Sequence, residues 1–92
     1  MTSADFTRES DMLKALANPT RLNILEILKE NEQCVKAMEE LLEVGQSALS
    51  QHLALLRHLG IVDCRREGMN VCYSIRNRDI LPVLEIIKEV FY

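Results

Sequence analysis

Two groups of side chains have the types and spacing to do chemistry. Gln46, Ser47, Ser50 and Gln51 are polar residues that recur at one-turn intervals. On a helix they share one face, where amides and hydroxyls can bond base edges and phosphates. His52 follows one step later and suits a phosphate contact, and Arg57 lies a turn and a half further on. In the second group, Arg65 and Arg66, with Arg76 beyond them, supply charge for phosphates. Gly68 permits a tight turn there and Asn70 is a contact candidate at its tip. The combination is that of nucleic-acid recognition. Taken residue by residue, it also fits a solvated polar helix face with arginines that serve solubility.

The three cysteines, Cys34, Cys64 and Cys72, form no CxxC pair and no even, closely spaced framework, so a reducing, cytoplasmic setting is expected. If 67–70 is a turn, Cys64 and Cys72 fall opposite or one step diagonal on two strands. They are then candidates for a thiol–disulfide switch, against the simpler reading of two small strand residues. Cys34 lies among Glu30, Glu32 and Glu39, with Lys36 its only cationic neighbour, and is a candidate only for an intermolecular metal or arsenite site. His52 and His58 are six residues apart, about 240° around a helix, so they cannot share a metal within one chain. No cofactor is expected. Nothing resembles a phosphate loop, an HExxH motif or a spaced Ser/His/Asp set, and an enzyme is not expected.

The formal charge of −3 argues against a polyanion partner until it is divided along the chain. Residues 44–78 hold five Lys or Arg against two Asp or Glu; residues 1–43 hold five against nine and residues 79–92 one against three. Positive charge is therefore concentrated in the same stretch as the candidate side chains.

These residues need elements to hold them. The 92 residues are expected to form a single domain, 1–92, whose thin core would gain from self-association. Residues 10–17 read as a helix with Leu13, Leu16 and Ala17 on one face, stopped by Asn18-Pro19. A second helix runs to about Asn31 on Leu22, Ile24, Leu25, Ile27 and Leu28. A short third covers 35–42 with Met38, Leu41 and Leu42 inward. After Gly45, Leu49, Leu53, Leu56 and Leu59 mark a fourth that ends at Gly60. Residues 61–66 and 71–75 read as a β-hairpin, and 79–92 as a last helix too apolar for a lone surface helix, with Pro82 tolerated in its first turn. Two short helices, a Gly-containing turn and a basic hairpin have the shape of a winged helix-turn-helix. The first residues show no signal-peptide pattern and no run is long enough to span a bilayer, so no membrane partner is expected.

Three ordered segments carry a resemblance: Leu16-Ala17-Asn18-Pro19-Thr20-Arg21-Leu22-Asn23-Ile24-Leu25, then 46–62, then Arg65-Arg66-Glu67-Gly68 with Val71-Cys72-Tyr73-Ser74-Ile75. Over roughly residues 10–76 the chain resembles the ArsR/SmtB family of dimeric repressors. That resemblance implies a mainly α fold with a β-hairpin wing, ordered α-α-α-α-β-β-α, and a homodimer built from the first and last helices. It further implies a recognition helix in the major groove of operator DNA and release by an effector. The better-known sensor types of the family do not match. Arsenic and cadmium sensors carry a CVC pair where this chain has Cys34-Val35-Lys36. Zinc and cobalt sensors use ligands including His on the last helix, which has none here. Persulfide-responsive members use a cysteine near the place of Glu26 and another in the last helix, which has no Cys. No intrachain metal site is expected, and the effector is unknown. The rival readings are a regulator without a small-molecule inducer and a winged-helix module that docks a protein.

Overall fold

In a computed structural model, residues 5–91 are described; residues 1–4 and Tyr92, the last residue of the stretch expected as a final helix, lie outside. The order is α1 (Thr7–Leu16), α2 (Pro19–Glu30), β1 (Gln33–Cys34), α3 (Val35–Leu42), α4 (Gln46–His58), β2 (Val62–Glu67), β3 (Asn70–Ile75) and α5 (Ile80–Phe91). This is a winged helix-turn-helix.

Local chemistry sets the boundaries. The α1 helix begins three residues before the expected stretch because the Asp5 carboxylate accepts from the amide and hydroxyl of Thr7, satisfying a donor that the first turn would leave unpaired. Asn18 is extended and its side chain accepts from the Arg21 amide at 3.0 Å, while Pro19 takes the first helical position. That cap and proline separate α1 from α2. Gly60, at φ 76°, ends the turn after α4, and Gly68, at φ 61°, opens the two-residue turn of the hairpin.

The core is one cluster around α2 and α4. Ile24, Leu25, Met38, Leu49, Leu53, Leu56, Ile61 and Val62 are fully buried, joined by Ala15, Leu16, Leu28, Ile75, Ile80 and Leu84. The expected inward set holds for α4 and for most of α2. It fails at three places. Leu13 is 60% exposed and Ala17 is exposed, because α1 packs through Ala15 and Leu16 with Met12 alongside. Leu41 is 62% exposed, since Met38 and Leu42 already fill the α3 contact. The hairpin lies where its β-prone runs placed it, but it belongs to a three-stranded sheet ordered β1-β3-β2. A two-residue strand is too short for any alternation to be read, and β1 exists because β3 pairs with it.

Candidate nucleic-acid interface

The front of α4 is an exposed polar surface. Gln46, Ser47, Ser50 and Gln51 all face solvent, while Leu49 and Leu53 anchor the opposite side of the helix in the core. The apolar side fixes the helix and thereby aims the polar side outward. Beside it the wing makes a cleft of roughly 450 Å³, lined by Gln46 and Ser50 of α4, by Arg66, Met69 and Asn70 of the wing, and by Cys34 and Lys36. Residues from three separated segments thus meet: the front of α4, the wing and the start of α3.

Strand alternation then divides the two neighbouring arginines. Arg66 pairs across β2 and β3 with Val71, and with Tyr73 it lines the cleft. Arg65 points from the other face. It donates to Glu32 in the α2–β1 connection and, at 2.9 Å, to Glu67, and these two carboxylates hold its guanidinium firmly protonated while Arg65 keeps the Glu32 carboxyl below its usual range. Arg65, expected as a phosphate contact, is exposed and in this structure ties the wing to the body of the domain. Arg76 lies 4.0 Å from Asp63, also an exposed pair. Among the described residues Arg57 and Arg66 form no ion pair. Both bear electrostatically on the Tyr73 hydroxyl, which burial and then Cys64 push to a higher pKa against their pull.

His52 is half-buried and already bonded. The Arg21 guanidinium, which can only donate, lies 3.1 Å from Nδ1, so Nδ1 accepts and the ring proton sits on Nε2. Arg21 also donates to the carbonyls of Lys14 and Ala15 at the end of α1. One side chain therefore joins α1, α2 and α4. Nothing in the sequence around Arg21 distinguished this role from a solvated arginine, because the contact spans 31 residues. Lys36 was legible only as a residue that is no thiolate; its place in the cleft depends on how α3 meets the wing.

The hairpin register decides between the two readings of Cys64 and Cys72. The tight turn sets Glu67 against Asn70, which puts Cys64 opposite Tyr73 and Cys72 opposite Arg65. Cys64 and Cys72 are thus one step out of register, on opposite faces of the hairpin, so the candidate bond between them is not formed. Cys72 is instead joined by a disulfide to Cys34, its direct partner in β1, and Cys64 is free. Among the described residues no three His, Cys, Asp or Glu side chains converge as metal ligands.

A second surface has the opposite character. Phe6 and Leu13 near α1, with Val83, Ile86, Val90 and Phe91 of α5, are exposed apolar side chains. Behind them Glu26 accepts from Lys29 and Lys88 at 2.6 Å each, pinning α2 to α5. Lys29 and then Lys88 hold the Glu26 carboxyl below its usual range. No described helix is long and apolar enough to cross a membrane.

Residues 18–63 match the family described as bacterial regulatory protein, arsR family. The transcriptional activator HlyU of Vibrio cholerae is 41% identical over 80 residues, covering 87% of this chain and 74% of HlyU. Its solved structure superposes with a TM-score of 0.84 at 37% identity, covering 98% of each chain. The homodimeric winged helix-turn-helix DNA-binding domain Mb0332 of Mycobacterium bovis gives a TM-score of 0.82 at 29% identity, covering 96% of this chain and 86% of that one.

Proposed function

The chain belongs to the arsR family of bacterial regulatory proteins and is a DNA-binding transcriptional regulator; on that premise we propose that it acts as a homodimeric, cytoplasmic repressor of an inverted-repeat operator. The observation that carries this reading is the exposed polar front of α4 meeting Arg66 and Asn70 of the wing in one cleft. Gln46, Ser47, Ser50 and Gln51 read base edges in the major groove. Arg66, Arg57 and Lys36 neutralise phosphates, Asn70 and the Gly68 turn approach the backbone at the wing tip, and His52 donates to a phosphate from Nε2. Arg21 positions that ring.

The apolar face on α1 and α5 supports pairing of two copies through those helices, as does the homodimeric state named for Mb0332. Two recognition helices then meet successive major grooves about 34 Å apart. Occupancy blocks transcription, and an effector that favours another dimer geometry releases the DNA.

The test is selection of duplexes from a random-sequence pool, followed by gel-shift titration on the selected and a scrambled duplex at two salt concentrations. An enriched inverted repeat with a steep loss of affinity at higher salt is expected. No enriched repeat, with binding indifferent to salt, would instead identify a protein-docking module.

A further inference from the structure

Cys34 and Cys72 come from segments 38 residues apart in sequence and face each other as direct cross-strand partners in β1 and β3. Their bond closes on a functionally placed point. Cys34 is the N-cap residue of α3, whose Lys36 lines the cleft, and Cys72 is in the central strand of the sheet that carries Arg66 and Asn70. The disulfide is therefore a covalent link between the helix-turn-helix and its wing. On the same face of the sheet, Arg65 makes a second, ionic link to Glu32, two residues before Cys34. The two cysteines also differ in access. Cys34 is half-buried and lines the open cleft, whereas Cys72 is 2% exposed.

A regulator that works on DNA inside a reducing cell does not keep a bond of this kind as a permanent staple. Disulfides in such compartments are chiefly transient and redox-sensing. Without the bond, the wing base keeps its core packing through Val62 and Ile75, but its tie to β1 and the start of α3 is reduced to a two-residue pairing and the exposed Arg65–Glu32 pair.

We propose that Cys34 and Cys72 form a thiol–disulfide switch that sets operator affinity by locking the wing to α3, a regulation that rests on the DNA-binding reading above. The co-reactant is a low-molecular-weight disulfide. The accessible Cys34 thiolate attacks one of its sulfurs, forming a mixed disulfide and expelling one thiolate. The Cys72 thiolate then attacks Sγ of Cys34, forming the internal bond and expelling the second. The protein dithiol loses two electrons and two protons, which leave on the two small thiols; excess small thiol reverses both steps. The oxidised form holds Arg66 and Asn70 in place beside Gln46 and Ser50, so it pays less ordering cost on DNA and binds more tightly. Reduction releases the wing and weakens binding. This sign is opposite to oxidative release.

The experiment equilibrates the full chain in glutathione buffers of graded oxidised-to-reduced ratio. It reads the internal bond by mass analysis of thiol-blocked protein and affinity on the selected and scrambled duplexes. The Cys34–Cys72 bond is expected to form, with operator affinity rising on the order of tenfold as it does. Cys64→Ser should keep the response. Cys34→Ser, at a half-exposed position that tolerates a hydroxyl, should bind at the reduced level whatever the buffer, and Cys72→Ala should match it. Absence of the Cys34–Cys72 bond, or equal operator affinity with the bond formed and broken, overturns the switch while leaving operator binding intact. Failure of both redox forms to prefer the selected duplex overturns the operator reading itself, and the switch with it.

Discussion

The two exposed surfaces of this small domain are built on contrary plans. The edge formed by α4 and the wing presents amides, hydroxyls and guanidinium groups, with Leu49, Leu53 and Leu56 turned fully inward and Leu55 and Met69 as its exposed apolar side chains. The face formed by α1 and α5 leaves large apolar groups in solvent, with Phe91 78% and Val90 70% exposed. Isolated exposed apolar residues are ordinary, but α5 exposes four of them, and Val83 borders a shared cleft with the exposed Leu13 of α1, as expected of a contact surface. The difference bears on how an acidic chain can meet a polyanion: the stretch 44–78 that builds the polar edge carries a net positive charge, whereas the segments on either side of it are net negative.

The largest loss is expected from substitutions at the apolar face. Placing Ile86→Asp and Val90→Asp together should leave a folded monomer, because neither side chain belongs to the core. Operator affinity should fall by about two orders of magnitude, since the second half-site no longer binds as part of the same particle. Sedimentation and gel-shift titration of the same preparation measure both effects. A dimer that survives the double substitution would move the interface elsewhere.

On the polar edge the effects should be smaller and sorted by role. Gln51→Ala and Ser50→Ala are expected to cost about 1–3 kcal/mol on the selected duplex and little on a scrambled one, the signature of base reading. Equal losses on both duplexes would remove these residues from that role. Arg66→Ala should weaken both duplexes alike and lower the salt slope by about one. Arg65→Ala, one residue away, should leave that slope unchanged, because its guanidinium is directed to Glu32 and Glu67.

The smallest effect expected is behind the apolar face. Lys29 and Lys88 depress the Glu26 carboxyl, so its ionised form favours the folded state. That contribution is present above the ordinary Glu range and is lost as pH falls through the depressed folded value. The pair is partly solvated, so the gain is modest. Glu26→Gln should therefore unfold at slightly lower denaturant than the parent at pH 7, and the gap should close below about pH 4. A gap that persists in acid would assign the effect to packing.

The contrast between Arg65 and Arg66 also marks how far the sequence could be read. Helices and hairpin were legible because leucines at three- and four-residue steps, Asn18-Pro19, Gly60 and Gly68 are local signals. The polar front of α4 followed from the same periodicity, since fixing Leu49 and Leu53 inward fixes Ser50 and Gln51 outward. What escaped depends on distant segments. The β1 strand is too short to have a pattern, so Cys34 gave no sign that it would face Cys72, and the hairpin alone suggested Cys64 instead. A one-residue difference in register decided the matter. Likewise, two adjacent arginines look interchangeable until the sheet sends one toward the cleft and the other toward Glu32.

The central claim is that DNA meets the α4 and wing edge and not the α1 and α5 face, and amide chemical-shift mapping during titration with the selected duplex tests it most directly. The account predicts perturbations concentrated at Gln46, Ser47, Ser50, Gln51, Arg66 and Asn70, with Phe6, Ile86 and Val90 unmoved. Perturbations centred on the apolar face, with the front of α4 silent, would contradict it.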